Sequence, residues 1–234
     1  MLKPLVVAAT QPVTDAGDIA GNAGRHAQAV RESEARVVVF PELSLTGYEL
    51  DSPAVALDDP QLEPLSRACA ESGAVALAGA PVADSSGRRF IAMLAFDGGP
   101  PRVIYRKTWL GGKELTGFAP GDGPTVLRLD GWRLGLGICK DTGSAQHTAG
   151  TAALNVDAYV AGLVHRPEEL PEQEARAVVI ARTCRAFVVF ASFAGATGDI
   201  FDRTAGGSAI YSPEGIAITR AGSEPGSLVR TALS

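Results

Sequence analysis

The sequence predicts an α/β sandwich of mixed strand pairing with two helix layers. Three observations lead there. Apolar strand-like runs alternate with segments of helical spacing along the chain. Of the 234 residues, 46% are apolar, enough for one large core. No linker, low-complexity tract or clear repeat interrupts the pattern, so residues 1–234 read as a single domain.

The elements follow in order. Leu5–Ala9 is a short apolar run and the first strand. Ile19, Ala23, Ala27 and Val30 recur at helical spacing and predict an amphipathic helix. Arg36–Phe40 is a β-branched run that stops at Pro41, which cannot donate to a ladder. Leu62, Leu65 and Cys69 mark a second helix after Pro60. Ala74–Ala78 and Arg89–Phe96 read as strands, with a turn at Asp84-Ser85-Ser86-Gly87 between them. Val103–Tyr105 is a further strand.

From Lys107 to Pro124 the chain is rich in Gly and Pro and reads as a long loop, a feature more often functional than idle in a compact domain. Thr125–Leu129 and Arg133–Ile138 are strands flanking a turn at Asp130-Gly131. Ala145–Leu154 is a helix and Ala158–Leu163 a buried strand. Glu168–Arg185 is the longest helix, with acidic residues at its start and Arg182 and Arg185 near its end, in accord with the helix dipole. Phe187–Ala191, Gly207–Tyr211, Ile216–Arg220 and Ser227–Leu233 complete the strands.

Composition removes several classes of function. The net charge is −5 and the pI about 5.3, which leaves no basic footprint for nucleic acid. No apolar run approaches the roughly 20 residues that span a membrane. The start, Met1–Thr10, is a poor signal peptide, because its apolar stretch is short and runs directly into strand-like sequence. Three cysteines at wide spacing, no CxxC pair and three scattered histidines argue against a disulfide framework or a zinc site. The expectation is a cytoplasmic protein with free thiols, without metal or organic cofactor.

The strongest chemical signal is Leu134-Gly135-Leu136-Gly137-Ile138-Cys139-Lys140-Asp141-Thr142-Gly143. An apolar strand of small residues ends on Cys139, and polar turn residues follow. A nucleophile needs this placement: rigidly held, exposed at a strand end, with backbone N–H groups nearby. A buried core thiol is the competing reading, and it is the better one for Cys69 and Cys184, which sit in helical patterns. A thiol nucleophile also needs a base and an oxyanion partner. Glu42 follows a buried strand and Pro41, where partly apolar surroundings would raise its pKa toward that of a useful base. Lys107 is similarly placed after Val103–Arg106, and a lysine near a thiol favours the thiolate and neutralises an oxyanion. Taken singly, each is more readily read as a solvated charge.

Taken together, these segments resemble the nitrilase, or carbon–nitrogen hydrolase, superfamily and its amidase-like branch. Phe40-Pro41-Glu42-Leu43-Ser44-Leu45-Thr46-Gly47-Tyr48 is similar to the family's first glutamate motif. Tyr105-Arg106-Lys107-Thr108-Trp109-Leu110 is similar to its lysine motif, and Glu114 with Phe118-Ala119-Pro120-Gly121-Asp122 to its second-glutamate segment. Gly135–Asp141 is similar to its cysteine motif. Ala8–Pro12 and Ser208–Gly215 resemble the opening strand and a late hairpin, so the likeness covers nearly the whole chain.

The resemblance implies a four-layer αββα sandwich. It also implies a Glu42–Lys107–Cys139 triad with Glu114 as a second glutamate, and subunits that pair as a homodimer or higher homo-oligomer. The implied reaction is hydrolysis of a small-molecule amide through a Cys139 acyl-enzyme. A nitrilase or an amide-forming acyltransferase would use the same triad, and a catalytically silent binding or assembly subunit would use the same fold.

Three departures bear on specificity and assembly. Lys140 stands where an aromatic residue often follows the nucleophile, Trp109 stands where the lysine motif often has His, and the chain ends at Ser234, without the C-terminal extension many relatives use in assembly. Tyr48, Lys140 and His165 are the expected substrate-binding residues. His147 is placed either in the pocket or on a helix surface. Lys113, Lys140 and Arg166 either attract a substrate carboxylate or are simply solvated.

Overall fold

The protein is described by a computed structural model covering residues 2–198 and 200–234; Met1, where the expected signal-peptide comparison began, and Asp199 lie outside the described residues. The first half supplies β1 (Leu5–Gln11), α1 (Ile19–Ser33), β2 (Val37–Val39), α2 (Glu63–Ser72), β3 (Val75–Ala83), β4 (Arg89–Phe96) and β5 (Arg102–Arg106). A short α3 (Glu114–Gly117) interrupts the Gly- and Pro-rich loop. The second half supplies β6 (Thr125–Leu129), β7 (Trp132–Ile138), α4 (Ala145–Ala153), β8 (Ala158–Leu163), α5 (Leu170–Cys184) and β9 (Phe187–Ser192). Then come β10 (Ala194–Thr197), β11 (Phe201–Ala205), β12 (Ala209–Tyr211), β13 (Ala217–Arg220) and β14 (Ser227–Leu233).

Two six-stranded sheets form, in the orders β14-β1-β2-β3-β4-β5 and β13-β12-β9-β8-β7-β6. At the centre of each, three strands run parallel: β1, β2 and β3 in one, β7, β8 and β9 in the other. Parallel central strands need coverage on both faces, and strand alternation supplies it. Val37 and Val39 belong to the apolar cluster between the sheets, with Leu77, Leu134, Leu136 and Val160. Val38 points the other way, into a cluster with Ala23, Ala27 and Val30 of α1 and Leu65 and Cys69 of α2. On the far side, Tyr159 and Ala161 of β8 pack against Ala177, Ile180 and Ala181 of α5. Helix, sheet, sheet and helix therefore stack in the αββα order.

The connection after β2 passes between the sheets, and two glycines admit it. A Cβ on Gly79 of β3 would lie 2.2 Å from the Leu43 backbone nitrogen, and one on Gly162 of β8 would lie 2.6 Å from the Phe40 carbonyl. Leu43 itself has φ 53°, in the left-handed region. This path places Glu42 at the carboxyl ends of both central strand sets, where open α/β sheets build their sites.

The structure adds to the sequence reading in three places. β3 continues to Ala83, because Pro81 and Val82 pair with Ile91 and Phe90 across the hairpin. α5 begins at Leu170, after a separate tight turn at Pro167–Glu169. The β10–β11 hairpin was not foreseen, since its strands are short and rich in small and polar residues. Among the described residues no helix is long and apolar enough to cross a membrane. Cys69 is buried in the α2 face and Cys184 lies half-buried at the end of α5; burial pushes both thiols up to about 11.

Candidate active site

Four strand ends converge on one point. β2 leads to Glu42, β5 to Lys107, β7 to Cys139, and β8 to Val164 and His165. Lys107 Nζ lies 2.6 Å from Glu42 Oε1 and 2.6 Å from Glu114 Oε1, and all three side chains are buried. Glu114 is held in turn by Tyr48, whose hydroxyl donates to Oε1 at 2.5 Å, and by the Gly111 backbone N–H, which donates to Oε2 at 2.9 Å. Cys139 is half-buried; its Sγ donates to the Val164 carbonyl at 3.3 Å. The structure thus brings together all four residues that the motifs singled out.

Electrostatics here follow from burial. Glu42 is pushed up to about 7: burial disfavours its charge and outweighs the attraction of Lys107, with Glu114 adding repulsion. Its second oxygen, Oε2, is buried and has no hydrogen-bond partner among the described residues. The Cys139 thiol is pushed up to about 12, by burial first and then by Glu42, with Lys107 opposing. For Lys107, burial alone would favour the neutral amine, but Glu42, Cys139 and Glu114 together hold the ammonium above its usual range.

One cation balancing two buried carboxylates is a stability element as well as a chemical one. Breaking such a set by removing one partner costs about 3–5 kcal/mol, because the remaining charge is left buried. Lys107→Met is expected to lose stability of that order in denaturant unfolding at neutral pH. Without Lys107 the Glu42 carboxyl should titrate above its wild-type value of about 7, so the loss should be largest at alkaline pH and shrink as pH falls toward 7. A loss that stayed the same from alkaline to neutral pH would contradict this account of the ion set.

The turn carrying Cys139 is strained and buttressed. Cys139 has φ 39° and opens a tight helical turn, Cys139–Gly143, directly after β7. Asp141, buried within that turn, accepts from Ile138 N (2.9 Å), Thr108 N (3.2 Å), Trp109 N (2.8 Å) and the Tyr105 hydroxyl (2.8 Å). One carboxylate therefore locks the cysteine turn to the loop that carries Lys107. Asp141 was visible in the cysteine motif, but its role as a strut depends on a partner segment more than 30 residues away.

A cleft of about 390 Å³ opens over Cys139. Tyr48, Lys140 and His165 line it. Glu169, Arg176 and Phe201 also line it and were not foreseen. Phe201 packs edge-on against Tyr48, with ring centroids 5.1 Å apart; it belongs to the unforeseen hairpin. Arg176 sits on α5.

His147 takes neither of its two expected places. It is fully buried away from the cleft, with Nε2 3.0 Å from the Tyr105 hydroxyl and Nδ1 3.1 Å from the Tyr159 hydroxyl. The physical reason is that α4 packs its first turn inward and two tyrosines satisfy both ring nitrogens. Lys113 and Arg166 are exposed and do not line the cleft; the Arg166 guanidinium lies over the Phe201 ring, 5.0 Å from its centroid. Among the described residues no group of three or more His, Cys, Asp or Glu side chains is arranged to hold a metal ion.

The profile of the carbon-nitrogen hydrolase family matches residues 6–233. The chain belongs to the carbon-nitrogen hydrolase family. It is 29% identical over 226 residues to a protein described as "Hydrolase in pqqF 5'region" from Pseudomonas protegens, covering 92% of this chain and 78% of that one. It is similar in fold to a CN-hydrolase superfamily protein of Xanthomonas campestris with an arsenic adduct in its active site. The TM-score is 0.90 at 19% identity, over 100% of this chain and 91% of that chain. An amidase from Nesterenkonia sp. superposes with a TM-score of 0.82 at 23% identity, over 98% and 90% of the two chains. One form of that amidase carries the acetamide moiety of fluoroacetamide on its active-site cysteine.

The departures of this carbon-nitrogen hydrolase from its family's motifs now have locations. Trp109 packs edge-on against His147, with centroids 5.4 Å apart, so it buttresses the buried side of the lysine loop and is not part of the cleft wall. Lys140 does line the cleft, but its Nζ donates to the Leu110 carbonyl at 3.0 Å. Gly111 leaves room for that crossing, since a Cβ there would lie 3.0 Å from Lys140 Cδ. Lys140 thus straps the cysteine turn to the lysine loop.

Proposed function

We propose that this carbon-nitrogen hydrolase cleaves the C–N bond of a small-molecule amide through an acyl-enzyme on Cys139. The observation that carries the reading is the buried Glu42–Lys107–Glu114 set beside a strained, strand-end cysteine. Acyl transfer to a thiol needs a base, a cation at the oxyanion and a fixed nucleophile, and each group has a residue suited to it.

With substrate bound, Glu42 Oε2 takes the Sγ proton. The thiol's high affinity for its proton keeps the resting cysteine neutral, and Glu42, poised at about 7, is a base matched to neutral pH. The thiolate attacks the amide carbon. Lys107 Nζ and the backbone N–H of Lys140, in the first turn after the nucleophile, receive the oxyanion. As the tetrahedral adduct collapses, Glu42 returns the proton to the departing nitrogen and ammonia leaves. Water, deprotonated by Glu42, then adds to the thioester carbon; the Cys139 thiolate departs, takes the proton back from Glu42, and the acid is freed. Glu114 and Tyr48 hold Lys107 in register throughout. The covalent addition at the active-site cysteine of the Nesterenkonia amidase supports Cys139 as the nucleophile here.

The test is ammonia release from a panel of amides and nitriles, with mass spectrometry of the protein trapped in turnover. Release from amides with an acyl mass on Cys139 is the expected result. Release from nitriles alone would replace the reading with a nitrilase. The absence of both release and substrate-protected iodoacetamide labelling of Cys139 would leave a catalytically silent subunit.

A further inference from the structure

One wall of the cleft carries a cation aimed by a chain of buried hydrogen bonds that the hydrolysis above does not use. The chain starts at Gln173 on α5, which is buried. Its Nε2 donates to the carbonyls of Gly206 (3.3 Å) and Gly207 (3.2 Å), which leaves Oε1 as an acceptor. Ser192 Oγ (3.1 Å) and His165 Nδ1 (2.9 Å) both converge on that oxygen. His165 must then carry its proton on Nδ1 and present a lone pair at Nε2. Arg176 Nη1 donates to that lone pair at 3.1 Å. Burial, with the nearby guanidinium, lowers the His165 pKa and keeps this neutral tautomer. His165 is therefore a positioning residue, and the group it presents to the cleft is Arg176.

Two further observations bear on what Arg176 meets. Gly143, four residues beyond Cys139, makes room for it: a Cβ there would lie 3.0 Å from Arg176 Cζ. The other edge of the guanidinium, Nη2, is met at 2.6 Å by Glu172, a carboxylate whose side chain is 58% exposed. That edge accepts a carboxylate in a partly solvated setting. The other carboxylates at the cleft are each tied to a donor of the protein. Glu42 and Glu114 are engaged by Lys107. Glu169 Oε2 accepts from the Arg166 backbone N–H at 2.7 Å. Lys140 adds a second cation, bonded only to a carbonyl.

We infer that Arg176, held by the Gln173–His165 relay, is the specificity-determining residue of this cleft and binds a carboxylate on the acyl portion of the substrate. The preferred substrates are then short amides whose acyl chain carries a second, anionic carboxyl group. The inference rests on the amide-hydrolase reading above. The planar guanidinium fork suits a carboxylate, and its pre-set position reduces the ordering cost of binding.

The experiment compares kcat/KM for succinamate and for levulinamide, its neutral isostere with a methyl group in place of the anionic oxygen. Wild type should prefer succinamate. In Arg176→Met the ratio of the two kcat/KM values should fall by about 10- to 100-fold, mostly through KM, as expected for one lost charge-assisted pair. Glu172→Gln should move the ratio the other way, by about two- to fourfold, because it frees the guanidinium from a competing, exposed partner. Arg176→Lys should lie between wild type and Arg176→Met. An arginine that only supported the helix would lower both substrates together and leave the ratio unchanged. That result, or a wild-type preference for levulinamide, overturns the inference.

A second readout does not depend on turnover: protection of Cys139 from iodoacetamide by succinate. Protection in wild type that is lost in Arg176→Met supports the subsite even if neither amide is hydrolysed, in which case the amide reading alone fails. No protection of wild type by succinate overturns the subsite.

Discussion

Cys139→Ala is expected to abolish amide turnover, by at least about 10⁴-fold in kcat, while the protein keeps its fold. The size follows from the role proposed for Sγ: without it there is no acyl-enzyme, and the ion set of Glu42, Lys107 and Glu114 has nothing to activate. The intact fold follows from what Ala retains. It keeps the Cβ that the strained φ of 39° already accommodates, and it gives up the thiol's bond to the Val164 carbonyl and its small share of the apolar packing on either side of the sheet. The four bonds accepted by Asp141, which hold the turn in place, do not involve the cysteine side chain. Ammonia release and thermal unfolding on the same preparation check both halves. Near-normal release by folded Cys139→Ala would remove the central claim.

Glu42→Gln is expected to lower kcat by at least about 10²-fold and to erase the acid limb of the pH profile. In wild type the base must be ionised. Burial raises the Glu42 carboxyl from its ordinary value to about 7, so kcat/KM should fall as pH drops through that value and level off above it. No alkaline limb from Lys107 is expected near neutrality, since its ammonium is held above the usual lysine range. Gln preserves the shape and can still accept from Lys107 Nζ through its carbonyl, but it cannot take a proton from Sγ. The residual activity of the variant should therefore lack the inflection near 7. A variant altered only in KM, or one that kept the inflection, would assign the proton transfer to another group.

These two results bear on a division of labour within one buried set. Lys107 joins two carboxylates of different use. Glu114 has its oxygens occupied by Lys107, Tyr48 and the Gly111 backbone, whereas one oxygen of Glu42 has no partner among the described residues. On the proposed mechanism, the same cation holds one carboxylate as a fixed strut and leaves the other to accept a proton. Removing Lys107 disturbs both, which is why its loss is expected to register in stability as well as in rate.

Much of this protein was legible in its sequence. Strand runs such as Ala158–Leu163 and Ser227–Leu233 coincide with the observed strands, because β-branched and small apolar residues bounded by turn signals leave little choice of conformation. The apolar stripe of Ala23, Ala27 and Val30 fixed which face of α1 turns inward. Glu42, Lys107 and Cys139 were readable because each follows a strand, and Glu114 through the resemblance of its segment to the family's second-glutamate motif. A strand's end is a local property that sequence punctuation records.

What the tertiary structure alone decided lies in long-range polar pairings. His147 carries no local sign of the two tyrosines that enclose it, one from β5 and one from β8. Lys140 could have faced solvent, substrate or, as it does, the Leu110 carbonyl; side-chain direction at a turn depends on which segment packs across from it. Arg176 was not singled out in the sequence, and only the Gln173–His165 relay and the space over Gly143 turn it toward the cleft. Hydrophobic periodicity is written along the chain at spacings of two and 3.6 residues, so the sequence by itself determined the layers and the strand ends that hold the chemistry. Hydrogen-bond partners far apart in the chain have no period, so the folded structure alone chose which polar side chains line the cleft and which are spent on holding it together.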